Sequence, residues 1–394
     1  MRNIIIAGGG LVNKGAQAMT LICVCELKKR YPGRQILLLT WDTSSDARQR
    51  HAMYDLELLQ IPPLKFSEAA HNPVKKAVFS LRYGKIFTEV DEIYRNTDLF
   101  LDISGYALGS NWDSKVCHDY LDNIEHALAY GIPVYLMPQS FGPFAFEGEA
   151  GSRIENRIRR LFPQVNKIFA RERDGWEDLV KRYGLQNVAL THDMVLTSSI
   201  EDYSPAMKQT MQLELPPVRE NSICLIPNVR VADYGVIDPG KLYRCVISAA
   251  LSKELNVYIT YHSTQDRALC ASLIEAFAAD PRVILLDRDH SCVEFNILVK
   301  QFRFVAASRF HAIVHALKNG IPCIALGWAD KYLELMSLFA QERYAFDLRK
   351  PVKINEVESA LSAMACHWQE ESLLIRERLP ALQQENVFDL IKEA

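Results

Sequence analysis

The stretch Ser308-Arg309-Phe310-His311-Ala312-Ile313-Val314-His315-Ala316-Leu317-Lys318-Asn319-Gly320-Ile321-Pro322 sets a cation and an imidazole where a strand hands over to a helix. Before it, Phe302 to Ala307 reads as a strand. Within it, Ile313, Ala316 and Leu317 recur at helical spacing until Gly320 and Pro322 end the helix. A further strand, Pro322 to Leu326, comes directly after. In such a βαβ unit the carboxyl end of the first strand opens onto a crevice, and the helix start offers unpaired N–H groups to an anion. Ser308 stands where an N-cap is expected. Arg309 has the fork that holds a carboxylate or phosphate by two parallel hydrogen bonds, and His311 is near enough to face the same anion as a proton donor. The pattern points to acid-assisted chemistry on an anion. The plainer alternative is a structural ion pair for Arg309 and a helix-start role for His311. His311 and His315 stand four apart, but no Glu follows His311 and no third ligand is evident, so no metal is expected.

The same alternation runs through the rest of the chain. Asn3 to Ala7 is a buried strand, Gly8-Gly9-Gly10-Leu11-Val12-Asn13-Lys14-Gly15 a glycine loop, and Ala16 to Lys29 a helix. Glycines there let a ligand approach the backbone, although the spacing is neither the dinucleotide GxGxxG nor a P-loop. Strands are expected at Gln35–Thr40, Leu56–Ile61, Thr97–Ser104, Val134–Met137, Lys167–Ala170 and Val188–Leu190, with a helix over His118–Tyr130. Each strand ends in polar or glycine residues: Asp102-Ile103-Ser104-Gly105, Pro138-Gln139-Ser140-Phe141-Gly142, Arg171-Glu172-Arg173-Asp174, His192-Asp193. In an open parallel sheet those ends share the edge where ligands bind.

After Leu196 the pattern lapses, and Ser204-Pro205 and Pro216-Pro217 mark a connection. It resumes with strands at Ile223–Pro227, Val257–Tyr261 and Val283–Leu286 and a helix over Pro239–Leu255. The reading is α/β: two Rossmann-like parallel-sheet domains facing across a cleft, residues 1–196 and 222–354, joined by 197–221. A C-terminal helical segment, 355–394, is placed to cross back to the first domain.

With 394 residues the chain suffices for two cores, and 49% hydrophobic with 24% charged residues is ordinary for a globular protein. A net charge of −3 gives no footprint for nucleic acid, so any anion site must be local. Nine scattered cysteines, mostly in apolar runs and without a CxxC pair, read as reduced core residues. The first residues lack the length and cleavage site of a signal peptide, and no apolar run is long enough to span a bilayer. The expected location is the cytoplasm.

The order Gly10-Leu11-Val12-Asn13-Lys14-Gly15-Ala16-Gln17-Ala18, Asp102 to Gly105, Pro138 to Gly142, Ala170 to Asp174, His192-Asp193, Ser308 to His311 and Gly320-Ile321-Pro322 resembles the polysaccharide pyruvyl transferase family over nearly the whole chain. That resemblance implies a fold like the GT-B glycosyltransferases, phosphoenolpyruvate as donor with no further cofactor, and a sugar with two free hydroxyls as acceptor; an acceptor lipid-linked at the membrane surface would set the protein peripherally at the inner face of the membrane. Two stretches depart from the family pattern: Ala16-Gln17, where many members are acidic, and Asp193-Met194-Val195, where many continue with Pro-Ala.

On this reading His311 is the general acid, and Arg309, with Ser308, holds the donor. Arg171 completes the clamp or pairs within its own charged run, and Lys331 reaches the donor or is a solvated lysine at a helix start. Asp102 and Asp193 are each a base toward the sugar hydroxyl or a loop cap. Gly10, Asn13, Gly15, Gly105 and Gln139 shape the acceptor side, and Trp112 stacks on the sugar or belongs to the core. The rivals are a glycosyltransferase using a nucleotide-sugar and a non-catalytic relative that binds the donor.

Overall fold

The computed structural model describes residues 2–40, 45–60 and 72–392. Among them, β1 (Asn3–Ala7), β2 (Gln35–Leu39), β3 (Glu57–Leu59), β4 (Thr97–Asp102), β5 (Val134–Gln139), β6 (Lys167–Ala170) and β7 (Val188–Leu190) form a first sheet. Its order is β3-β2-β1-β4-β5-β6-β7. A second sheet combines β8 (Ser222–Ile226), β9 (Asn256–Ile259), β10 (Val283–Leu285), β11 (Val305–Ala307), β12 (Cys323–Gly327) and β13 (Ala345–Asp347) in the order β10-β9-β8-β11-β12-β13. Every ladder in both sheets is parallel. Parallel strands need helical crossovers that cover both faces, which is why β1 is wholly buried and apolar from Ile4 to Ala7.

The strand order reverses between β1 and β4 in one domain and between β8 and β11 in the other. Loops at such a reversal diverge to opposite faces and leave a crevice at the carboxyl edge. The glycine loop leaves β1 into the Lys14–Arg30 helix, and Ser308-Arg309 leaves β11 into the Phe310–Lys318 helix. The two crevices meet. Alternate residues of the first sheet serve different cores: Ile5, Ala7 and Phe100 pack under an outer layer of helices. Ile4, Ile6 and Leu101 belong to a core that continues into the second domain.

Some elements escape the sequence reading, among them the Gly148–Leu161 helix. A helix over Pro73–Arg95 precedes β4, and β13 closes the second sheet with only three residues. The expected strand from Phe302 shortens to Val305–Ala307, because Phe302 ends a one-turn helix and is buried as a core side chain without joining the ladder. The strand expected to Ile61 is Glu57–Leu59, and Ile61 lies outside the described residues. The long Ile354–Leu382 helix remains on the second domain, where the Ser372 hydroxyl donates to the Gly320 carbonyl at 2.6 Å. The crossing is made by the residues C-terminal to that helix: the Asn386 amide donates to Glu26, and the Lys392 N–H donates to the Tyr135 hydroxyl at 3.1 Å. All nine cysteines are unpaired. Among the described residues no helix is long and apolar enough to cross a membrane.

Candidate active site

His311 sits where the domains touch. A Cβ on Gly15 would lie 2.4 Å from its Nδ1, so the first turn of the Lys14–Arg30 helix leaves room for the imidazole only because that residue is glycine. On the other side Nε2 lies 3.5 Å from Asp193 Oδ2. Asp193 caps the short Met194–Thr197 helix by accepting from the Val195 N–H and takes a 2.8 Å hydrogen bond from Arg171. Burial alone would raise its carboxyl, but His311, Arg171 and the Val195 N–H hold it well below the usual carboxylate range. Arg171 also donates to Glu172 and to the Ser140 hydroxyl, each at 2.8 Å, and stacks on the Phe310 ring. Its fork is therefore occupied, and it bears on the site through Asp193.

Arg309 turns both Nε and Nη2 onto Asp266, at 2.7 Å each. Asp266 has no exposed surface, and a buried carboxylate needs such a partner. The structural ion pair weighed from sequence is thus present, and among the described residues Nη1 has no hydrogen-bond partner. Ser308 is not the N-cap: that position is Arg309, without a side-chain capping bond. The Ser308 hydroxyl instead accepts from Tyr243 at 2.8 Å inside the core, and its carbonyl accepts from Asn228 and Tyr332.

Lys331 is held among aromatic rings. Its ammonium lies 5.2 Å from the Tyr106 ring centre and 5.3 Å from those of Phe310 and Trp328. Among the described residues no carboxylate pairs with it. Burial, with help from Arg171, brings its pKa down to about 8. Two adjoining cavities share this lysine. One, of about 300 Å³, is lined by Arg171, His192, Asp193, Phe310 and Glu334. The other, of about 600 Å³, is lined by Tyr106, Ser140, Asp174, Tyr234 and Trp328, with Tyr234 and Trp328 stacked at 4.6 Å.

The remaining predicted positions stand behind these walls. Asp102 is buried and accepts from the Ser104 N–H and hydroxyl and from the Gln139 amide. Burial pushes its carboxyl up to about 6, against these hydrogen bonds. It braces the Ser104-Gly105 turn, and Gln139, itself fully buried, braces Asp102. Asn13 caps the first helix through the Gly15 and Ala16 N–H groups, and Gly10 exchanges hydrogen bonds with the Thr20 hydroxyl. Gly105 turns the chain against Met19, and Trp112 packs behind Tyr106 at 5.3 Å. His315 faces inward: its Nδ1 lies 3.1 Å from Asn296, and burial drives its pKa down to about 3. Among the described residues no group of three ligating side chains is arranged for a metal.

Sequence reasoning missed three contributors. Trp328 lies three residues before Lys331, so its proximity was legible, whereas Tyr234 on its single helical turn carried no signal. Lys14 is buried and reaches from the glycine loop to Asp289 of the second domain at 2.8 Å, with Arg50 on the other carboxylate oxygen.

A polysaccharide pyruvyl transferase model matches residues 13–330. The chain belongs to this family. Solved structures similar to the transferase over nearly its whole length share little sequence with it. MnaA of S. aureus bound to UDP is 10% identical, over 96% of this chain and 91% of that one, with a TM-score of 0.57. UGT89C1 of Arabidopsis thaliana complexed with UDP is 10% identical over 97% and 94%, with a TM-score of 0.56. The glycotransferase of kitacinnamycin is 13% identical over 98% and 97%, with a TM-score of 0.54. These likenesses establish the GT-B arrangement of the transferase and nothing finer. No curated protein matches the chain in sequence.

Proposed function

We propose that this transferase moves the pyruvyl group of phosphoenolpyruvate onto two hydroxyls of one sugar, forming a pyruvate ketal and releasing phosphate. The observation that carries the reading is His311 held between Gly15 and the Asp193 carboxylate, with the Phe310 ring between it and Lys331, which has no carboxylate partner among the described residues. An imidazole backed by a permanently ionised carboxylate is suited to carry and deliver a proton. His311 protonates the methylene carbon, and a sugar hydroxyl forms a bond to the adjacent carbon. The second hydroxyl replaces the phosphate at that same carbon. One hydroxyl proton restores His311 and the other leaves with phosphate, so the balance closes without a cofactor.

Donor charge falls to Lys331 and to the free Nη1 of Arg309, with Arg171 and Asp193 orienting the acid. Asp102, buried and hydrogen-bonded on both oxygens, serves the turn rather than the sugar. The larger cavity suits the acceptor, because the paired rings of Tyr234 and Trp328 offer an apolar face to a pyranose and the carboxylates around them accept from hydroxyls. Phosphate release from phosphoenolpyruvate, measured across a panel of sugars, tests the reading. Release that requires a sugar supports it. No release with any sugar, together with calorimetric binding of a nucleotide-sugar, would replace it with glycosyl transfer.

A further inference from the structure

The Pro73–Arg95 helix is two helices joined at Gly84, whose φ of 54° no helix interior adopts. Beyond the bend, Phe87, Val90 and Tyr94 are buried in the outer core of the first domain. Before the bend the arrangement is the opposite. Only Phe79 and Tyr83 pack inward. Val74, Val78 and Leu81, at i, i+4 and i+7, form a single apolar stripe with 71%, 52% and 89% of their surface exposed. Leaving three such side chains in water is unfavourable relative to burying them, so an exposed stripe of this kind marks a contact surface.

Its flanks name the partner. From Pro73 to Thr88 the chain carries Lys75, Lys76, Arg82 and Lys85 and not one acid, although the whole protein is at −3. Lys76 is tied to Asp91, and Lys85 meets Glu89 only in an exposed pair of little strength. Apolar side chains projecting from a cationic helical face match the two layers of an anionic bilayer surface: acyl chains below, phosphate groups above. A soluble protein partner would call for mixed charge, whereas from Pro73 to Thr88 every charged residue is a cation. The helix belongs to the outer layer of the first sheet, so the second domain does not cover it.

We infer that the Pro73–Tyr83 half-helix docks the protein on an anionic lipid surface, with Val74, Val78 and Leu81 entering the interface and Arg82 and Lys85 meeting lipid phosphates. The bend at Gly84 lets this half lie along the membrane while the other half stays in the fold. Docking of this kind is independent of the transfer chemistry.

Flotation of the full chain with vesicles made of equal parts phosphatidylglycerol and phosphatidylcholine tests it, beside vesicles of phosphatidylcholine alone. Binding is expected to the anionic vesicles and to be at least about tenfold weaker to the neutral ones. Val78→Asp with Leu81→Asp should abolish it while the melting temperature and phosphate release with a soluble sugar stay unchanged, since both side chains are exposed and lie outside the site. Arg82→Gln with Lys85→Gln should weaken it by about fivefold per cation. No flotation with anionic vesicles, or flotation indifferent to both pairs of substitutions, overturns the inference. So does a dimer in solution that the double aspartate variant dissociates, because the stripe would then face a second copy.

Discussion

His311 is confined by a glycine on one side and a carboxylate on the other, and that confinement sets what its loss should do. Placing a proton donor against a carbon centre typically contributes 10² to 10⁴-fold, about 3 to 5 kcal/mol of barrier. His311→Gln is therefore expected to lower kcat by roughly that factor with little change in the KM for phosphoenolpyruvate, because Lys331 and Arg309 still meet the anion. Steady-state kinetics on the folded variant decide it; a change confined to KM would make His311 a binding residue. Lys331 carries a pH dependence of definite sign. Its pKa is lowered to about 8, so the ammonium is present below that pH and lost above it. Donor affinity should weaken as pH rises through about 8, and Lys331→Met should both weaken binding and flatten that profile. An unchanged profile in the variant would move the titration to another group.

At the scale of elements, the start of the Lys14–Arg30 helix and the start of the Phe310–Lys318 helix are fitted to one another through Gly15. Alanine there would gain about 0.5 to 1 kcal/mol of helix stability, but crowding the imidazole costs about 1 to 3 kcal/mol, so crowding wins. Gly15→Ala should fold with a slightly lowered melting temperature and lose turnover as His311→Gln does. Full activity in Gly15→Ala would mean that the ring has space to retreat. The loop between β12 and the Asp330–Ser337 helix brings Trp328 to the larger cavity. Trp328→Ala should raise the KM for the sugar by about tenfold, the loss of one stacking platform, and leave the KM for phosphoenolpyruvate unaltered. Equal change in both constants would point to a structural tryptophan.

For the whole molecule, the two domains are held by a core that runs through both and by the Lys14–Asp289 pair across the crevice. Lys14 is almost wholly enclosed, and removing its partner strands a buried cation, which typically destabilises by about 3 to 5 kcal/mol. The effect here should fall toward the lower end, because burial already draws the Lys14 pKa down and the amine can shed its proton. Asp289→Ala is expected to lower the free energy of unfolding in urea by that measure, and the midpoint with it. A midpoint unaltered by the substitution would show that the apolar core alone fastens the domains.

Sequence by itself determined the order of strands and helices, because each element's period and end signals are local. Lys167–Ala170 and Val188–Leu190 are strands with the bounds that their apolar runs mark. It also marked where chemistry belongs, since strand ends in a parallel sheet share one edge. Three-residue β13 and the Pro73–Arg95 helix went unseen: one is too short for a pattern to accumulate, and the other has its apolar period broken at Gly84 and its stripe pointed outward. Tertiary structure alone decided which side chains pair. Ser308 lost the capping position to Arg309 once Tyr243 took its hydroxyl, the Arg309 fork went to Asp266, and Arg171 was turned onto Asp193. Gly15 met His311 across nearly three hundred residues of chain. Such contacts follow from how two sheets are set against each other, and no local spacing encodes that, because the energy that selects it is the burial of a core shared by both domains.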